Sequence, residues 1–212
     1  MTEMEGLKEA NPEPSRVYLI RHGETAWSLS GRHTGRTDIP LTPHGEAAAR
    51  GLRRWLGGVQ LSHIFTSPSL RARQTCDFAG LGLLSEPEPD LFEWDYGEYE
   101  GRRSTEVLKE RAGWNLFRDG CPGGEAPKQI LERANRLIHR LSTFEGDVAL
   151  FSHGQFACAL AAIWIGLPVV DGQRFALGTA SISILGSSAS HPGVRVIELW
   201  NVSPEKLTDG IL

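Results

Sequence analysis

In RVYLIRHGET, residues 16–25, an apolar run of strand length ends at a charged motif. Such a run is typical of a buried strand in a parallel sheet, and the polar residues after it lie where the strand opens onto a surface. A second run of this kind, DVALFSHG at residues 147–154, comes late in the chain. Both predicted strands end at a histidine beside a glycine, and these histidines are His22 and His153.

Helix and strand patterns alternate along the rest of the chain. TP at residues 42–43 and SP at residues 67–68 each combine a capping side chain with a proline at the first helical position. From Ala126 onward, apolar residues recur at intervals of three and four, which indicates another helix. Two late strands are predicted at residues 181–185 and 194–199. This order predicts an α/β fold, a three-layer α/β/α sandwich with a mainly parallel sheet.

Two stretches lack such regular patterns. Residues 23–38 are polar and are predicted to form a long loop, and residues 86–125, rich in Glu, Gly, Trp and Pro, are expected to be the least regular part. Long loop regions often carry substrate-binding residues. The aromatic residues Trp94, Tyr96 and Trp114 fit either the core or a pocket wall.

Bulk properties of the 212-residue chain narrow the classes of function. The length fits a single domain, expected over residues 16–212 after a disordered leader at residues 1–15. A net charge of −4 without a basic block argues against binding to nucleic acid or an anionic membrane. No run reaches the roughly 18 apolar residues of a membrane span. Three scattered cysteines without a CxxC pair favour free thiols and a cytoplasmic location.

The two strand-end histidines are accompanied by arginines. Arg21 precedes His22, and Arg71 follows another predicted strand. Because ligands bind at the carboxyl ends of strands in open α/β sheets, His22 and His153 are expected to face one crevice. Guanidinium groups suit phosphate oxygens, and backbone amides of the helix after His153 would attract an anion further. The alternative interpretation is that the histidines are structural and the arginines form surface ion pairs.

Ordered matches along the chain link this pattern to a family. LIRHGET at residues 19–25 resembles the signature of the histidine phosphatase superfamily, also called the phosphoglycerate mutase-like family. Residues 34–42 (TGRTDIPLT), 66–75 (TSPSLRARQT), 91–101 (LFEWDYGEYEG) and 152–154 (SHG) resemble later segments of that family in the same order. The matches extend over roughly residues 17–185 and are more specific than one short motif.

The resemblance implies a role for each matched residue. His22 is the nucleophile that becomes a phosphohistidine, and Arg21, Arg71 and His153 hold the phosphoryl oxygens. Glu93 matches the acid that protonates the leaving oxygen and then assists the attack of water. The implied reaction uses no metal and no other cofactor, and the sequence offers no HxH, HxxxH or carboxylate cluster for a metal. Substrate contacts are expected from Ser28, His33, Thr34, Gly35 and Gly154.

The family contains both phosphatases and mutases. Ser28 stands where many mutases have Asn, and the short stretch 106–121 has only Lys109, Arg111 and Arg118 as basic residues. Hydrolysis of small phosphorylated metabolites, such as sugar phosphates, is therefore favoured. In the overall pattern of its motifs, the sequence most resembles bacterial acid phosphatases and sugar bisphosphatases. The alternatives are a 2,3-bisphosphoglycerate-dependent phosphoglycerate mutase and a non-catalytic protein that binds phospho-ligands or other proteins. The sequence leaves the natural substrate, the pH optimum and the formation of a homodimer open.

Overall fold

Six strands form one sheet within residues 15–204, the part of the chain that the computed structural model describes. The strands are β1 (Arg16–Arg21), β2 (Leu61–Thr66), β3 (Glu86–Pro87), β4 (Asp147–Ser152), β5 (Ile182–Ser187) and β6 (Arg195–Val202). Their order is β3-β2-β4-β1-β5-β6. Strands β1 to β4 are joined by parallel pairs, and β5 runs antiparallel to both of its neighbours, β1 and β6. The prediction of a mainly parallel sheet is confirmed.

Seven α-helices lie within the same residues. They are α1 (Ala26–Ser30), α2 (Pro43–Leu56), α3 (Leu70–Phe78), α4 (Ser104–Glu110), α5 (Leu116–Asp119), α6 (Pro127–Leu141) and α7 (Gly154–Trp164). Between β3 and α6 the chain consists of short helices, 3₁₀ turns and loops, so the prediction for residues 86–125 is confirmed. None of the helices described over residues 15–204 is both long enough and apolar enough to cross a membrane.

The central strand β1 separates two hydrophobic clusters, because successive side chains of a strand point to opposite faces. Val17 and Leu19 belong to a cluster shared with α6 and α7, whereas Tyr18 and Ile20 belong to a cluster shared with α2 and α3. The helices therefore cover both faces of the sheet, and the predicted α/β/α sandwich is confirmed.

The helix start predicted at Ser67 is wrong. At α2, Thr42 caps as expected, and its hydroxyl accepts a hydrogen bond from the Gly45 N–H at 3.0 Å. Helix α3 instead begins after Ser69, which makes no side-chain cap, and the Leu70 N–H donates to the Asp38 carboxylate at 2.8 Å. The Ser67 hydroxyl lies 2.8 Å from a ring nitrogen of His153 and so belongs to another network.

The predicted loop at residues 23–38 contains the short helix α1. Its N-terminal end is held by a reciprocal cap: the Thr25 hydroxyl accepts from the Ser28 N–H at 3.0 Å, and the Ser28 hydroxyl accepts from the Thr25 N–H at 2.9 Å. This capping box fixes the chain directly after the RHG motif. The leader predicted for residues 1–15 lies outside the described residues except for Ser15, whose N–H donates to the Gly146 carbonyl at 3.0 Å.

Candidate active site

His22 and His153 are side by side because their strands are neighbours. Strands β1 and β4 pair in parallel with Arg21 opposite Ser152, and the His22 N–H donates to the Ser152 carbonyl at 3.0 Å. The imidazole centroids lie 5.2 Å apart with their planes at 61°. The two imidazoles are therefore neighbours, as the sequence predicted, but only His22 lines the pocket in front of it, whereas His153 is fully buried behind that lining.

The His22 ring is held in one orientation by its own backbone neighbour. Its Nδ1 atom lies 2.7 Å from the Gly23 carbonyl oxygen. Since a carbonyl can only accept, Nδ1 carries the hydrogen and the Nε2 lone pair remains available for attack. Burial, followed by the charges of Arg71 and Arg21, holds the pKa of His22 well below its ordinary value of 6.5. The ring is therefore neutral at neutral pH, with its hydrogen on Nδ1.

This assignment predicts the titration of the His22 ring. We expect the ring to remain in the Nδ1-protonated neutral form between about pH 8 and about pH 5, a range that includes the ordinary histidine pKa of about 6.5. Ring ¹H–¹⁵N correlation spectra, with the His22 signals identified by their loss in His22→Ala, measure both tautomer and charge. A protonation step near the ordinary pKa, or an Nε2-protonated ring, would contradict it.

Arg71 is completely buried and is held by main-chain oxygens. One terminal nitrogen donates to the Thr37 carbonyl at 3.1 Å, and the other donates to the carbonyls of Thr34 and Gly35 at 2.9 and 3.0 Å. Arg21 similarly donates to the Leu177 carbonyl. Neither arginine forms an ion pair with another residue in the part of the chain described, so the surface ion-pair interpretation is wrong for both.

Three buried side-chain nitrogens around His22 lack a hydrogen-bond partner among residues 15–204. They are Arg21 Nε, Arg71 Nε and His153 Nδ1. The other ring nitrogen of His153, Nε2, lies 2.8 Å from the Ser67 hydroxyl and 3.2 Å from the Ser69 hydroxyl. Nearly all buried polar groups in proteins are paired, and a set of unpaired donors beside two guanidinium groups fits a small oxyanion.

The Glu93 carboxylate lies at the start of α7, where free backbone amides were predicted to attract an anion. One carboxylate oxygen accepts from the N–H groups of Trp94 and Phe156 at 2.9 and 2.8 Å, and the other accepts from the Gln155 N–H at 3.0 Å. The prediction that free amides at this helix end attract the anion is therefore wrong for Gln155 and Phe156. The positive end of the helix instead fixes the Glu93 carboxylate beside the pocket.

A buried ion pair fixes the backbone that carries Glu93. Arg133 of α6 pairs with Glu125 at 3.0 Å and donates to the carbonyls of Asp90 and Phe92 at 2.9 and 2.6 Å. This network was not predicted from the sequence. Its signal is an arginine on the apolar side of α6, next to the buried Ala134.

A pocket of about 180 Å³ lies in front of His22. Of the residues predicted as catalytic or substrate-binding, those that line it are Arg21, His22, Ser28, His33, Thr34, Glu93 and Gly154. The lining residues that the sequence analysis missed are Gly31, Arg32, Tyr96, Ser104 and Gln155. Tyr96 was left undecided there. Ser104 stands next to no motif, and Gln155 directly follows the SHG motif but was not predicted as a contact.

Three residues that were predicted to contact the substrate have structural roles. The Ser28 hydroxyl lines the pocket, but it accepts from the Thr25 N–H and donates to the Thr25 carbonyl at 3.0 Å. Gly35 lies behind the pocket lining, where its carbonyl holds Arg71 and its N–H donates to Glu100 at 2.9 Å. At Gly154, a Cβ atom would lie 3.2 Å from Arg21 Cζ, so the missing side chain lets the guanidinium approach the helix.

The three aromatic residues of the irregular stretch divide between core and pocket. Trp94 is fully buried in the core and donates to the Glu125 carbonyl at 2.8 Å. Tyr96 lines the pocket and stacks on His33 with centroids 4.5 Å apart, and Trp114 meets His33 edge-on at 5.7 Å. Burial lowers the pKa of His33 to about 4, so its ring is neutral at neutral pH.

The described residues hold no group of three or more His, Cys, Asp and Glu side chains arranged to bind a metal ion. The site is instead dominated by arginine and histidine nitrogens, which are donors that suit an oxyanion.

Comparisons with known proteins agree on one family for this chain. The family model described as the histidine phosphatase superfamily (branch 1) matches residues 17–202. An acid phosphatase of Mycobacterium tuberculosis is 40% identical over 178 residues, which cover 81% of this chain and 86% of that protein. The sedoheptulose 1,7-bisphosphatase of Saccharomyces cerevisiae is 39% identical over 186 residues, covering 73% of this chain and 69% of that protein.

Two further matches extend this comparison. The probable phosphoglycerate mutase GpmB of Cronobacter sakazakii is 33% identical over 178 residues, covering 79% of this chain and 83% of that protein. The solved structure of an open reading frame of Mycobacterium tuberculosis superimposes with a TM-score of 0.82 at 37% identity, covering 89% of this chain and 98% of that one.

Proposed function

The chain belongs to the histidine phosphatase superfamily (branch 1), and on this basis we propose that it hydrolyses phosphate monoesters of small metabolites through a phosphohistidine on His22. One observation carries the proposal: the free Nε2 of a neutral, buried His22 lies among three unpaired buried nitrogen donors. A nucleophile and an oxyanion site thus share one crevice.

The oxyanion site binds the phosphoryl group before reaction. Arg21 and Arg71 supply positive charge and a free Nε–H each. Hydroxyl donation from Ser67 or Ser69 to Nε2 of His153 places the ring hydrogen on Nδ1, which then donates to a third contact with the phosphoryl group. The donors are fixed by the protein before the substrate arrives, so little reorganisation is needed when charge develops on the phosphoryl oxygens.

In the first step the Nε2 lone pair of His22 attacks phosphorus, and the bond from phosphorus to the leaving oxygen breaks. Glu93 acts as the general acid and gives a proton to that oxygen, so the alcohol leaves neutral. The Gly23 carbonyl stays bonded to Nδ1–H and stabilises the positive charge of the phosphorylated ring.

In the second step water attacks phosphorus, and the Glu93 carboxylate accepts a proton from it. The bond from phosphorus to Nε2 breaks, inorganic phosphate is released, and His22 and Glu93 return to their starting states. All groups in this cycle belong to the chain itself.

One assay distinguishes hydrolysis from the mutase reaction, in which the phosphoryl group is transferred back to the substrate instead of to water. The chain is incubated with 3-phosphoglycerate and 2,3-bisphosphoglycerate, and both free phosphate and 2-phosphoglycerate are followed. We expect phosphate release to dominate, because none of the three basic residues of stretch 106–121 lines the pocket and Arg118 is paired with Asp119 at 2.8 Å. Rapid isomerisation with little phosphate release would assign the chain to the mutases.

The same assay tests metal independence, which stays a prediction. Addition of EDTA should leave the rate of phosphate release unchanged, because the proposed cycle uses only side chains. A large loss of rate that magnesium or zinc restores would contradict it.

A single domain over residues 16–212 is supported by the family match at residues 17–202. The cytoplasmic location and the lack of nucleic-acid or membrane binding remain predictions, and a homodimer is neither predicted nor excluded.

A further inference from the structure

A second cavity of about 240 Å³ adjoins the 180 Å³ pocket in front of His22, which we call the phosphate pocket. The two cavities share three lining residues, His33, Ser104 and Gln155. Gln155 lines both cavities and its backbone N–H donates to Glu93 at 3.0 Å, so the second cavity begins beside the proposed acid. We call this second cavity the amide subsite.

The walls of the amide subsite are uncharged. One part is apolar and consists of Leu108, Trp114, Leu116 and Phe117. The other part carries the side-chain amides of Asn115, Gln155 and Gln173. Of the described residues that line it, none is Asp, Glu, Lys or Arg, and the His33 ring is neutral at neutral pH.

The amides keep hydrogen-bonding capacity for a ligand. Asn115 donates to the Gln173 side-chain oxygen at 2.8 Å, which leaves the Gln173 amino group free to donate. The Gln155 side-chain amide makes no hydrogen bond with the residues described, although its backbone N–H holds Glu93. Free amide donors and acceptors beside an indole match a group that has hydroxyls on one side and C–H bonds on another.

We infer that the amide subsite binds the leaving group of the reaction and selects an uncharged, hydroxyl-rich one, so that sugar or polyol monophosphates are preferred over the corresponding bisphosphates. This inference rests on the proposed hydrolysis. A second phosphate group placed there would lose its hydration without meeting a cation, which is costly. The sole exposed guanidinium among the lining residues named for either cavity, Arg32, faces the phosphate pocket and donates to the Gly101 carbonyl at 3.1 Å.

The test compares fructose 6-phosphate with fructose 1,6-bisphosphate, and phenyl phosphate reports hydrolysis as such. For the unaltered chain we expect kcat/KM for the monophosphate to exceed that for the bisphosphate by about tenfold or more. Leu108→Lys places a cation in the amide subsite and should move the ratio of the two kcat/KM values toward the bisphosphate by about tenfold.

Leu131→Lys is the matched control, because Leu131 is 39% exposed on α6 and Leu108 is 41% exposed on α4. The ratio should be unchanged in that variant. A preference of the unaltered chain for the bisphosphate, or an equal shift in both variants, would overturn the amide-subsite inference while phenyl phosphate turnover still upheld hydrolysis. Failure to hydrolyse all three substrates would overturn the proposed function and the inference together.

Discussion

His22→Ala is expected to lower kcat for phenyl phosphate by at least about 10⁴-fold, since a missing nucleophile removes the entire two-step route. The fold should persist, because the only hydrogen bond that the His22 side chain makes within residues 15–204 is to the adjacent Gly23 carbonyl. Acid-labile, base-stable phosphate labelling of the protein after rapid mixing measures the intermediate directly. It should be present in the unaltered chain and absent from His22→Ala.

His44→Ala is the matched control for this experiment. His44 is exposed near the start of α2, so the same change of side chain is made outside the crevice. Turnover and labelling should be unaffected there, and thermal unfolding of both variants reports on the fold. Undiminished turnover in His22→Ala would remove His22 from the mechanism, and persistent labelling would assign the phosphohistidine to another residue.

Glu93→Gln is expected to change the two chemical steps differently. Release of an alkyl alcohol needs a proton, so phosphorylation by an alkyl phosphate should slow by about 10²–10⁴-fold. 4-Nitrophenyl phosphate has a good leaving group and should still phosphorylate His22, whereas the later attack of water lacks its base. We therefore expect a burst of nitrophenol followed by slow turnover, with phosphoenzyme accumulating.

This pattern separates catalysis by Glu93 from its capping of α7. Loss of the cap alone would destabilise the fold by about 1–3 kcal/mol per unpaired amide and would slow aryl and alkyl substrates equally, without accumulation of phosphoenzyme. Glu88→Gln is a suitable control, because Glu88 and Glu93 are both 5% exposed and Glu88 does not line the phosphate pocket. That variant should show the stability loss without the burst.

The layered fold was predictable because its signals are local. Apolar runs marked β1 and β4, and periodic apolar residues marked α6. The start of α3 was not predictable in the same way. Ser67 and Pro68 carry the pattern of a helix start, but the cap of α3 comes from Asp38, which is distant in sequence and close only after folding.

In the candidate site, too, features with a local sequence signal were predicted, and features that depend on contacts between distant residues were missed. The histidines were predicted to lie together because ligands bind at the carboxyl ends of strands in open α/β sheets, and the pairing of β1 with β4 brings them side by side. The position of the Glu93 carboxylate at the start of α7 was missed. The N-terminus of a helix attracts any anion, and the sequence does not distinguish a side-chain carboxylate from a substrate phosphate there. Arg133 and Gln155 were missed because neither stands in a motif, and their importance comes from contacts made across the fold.

His22 and Glu93, the proposed nucleophile and acid, are held by two neighbouring strands in different ways. His22 leaves the end of β1, and Glu93, although it belongs to the irregular stretch, is anchored to the first turn of the helix that leaves β4. The surrounding loops can therefore diverge without moving the reacting atoms. Relatives with this arrangement can therefore keep the same reacting residues and come to act on other metabolites through changes only in the residues that contact the leaving group.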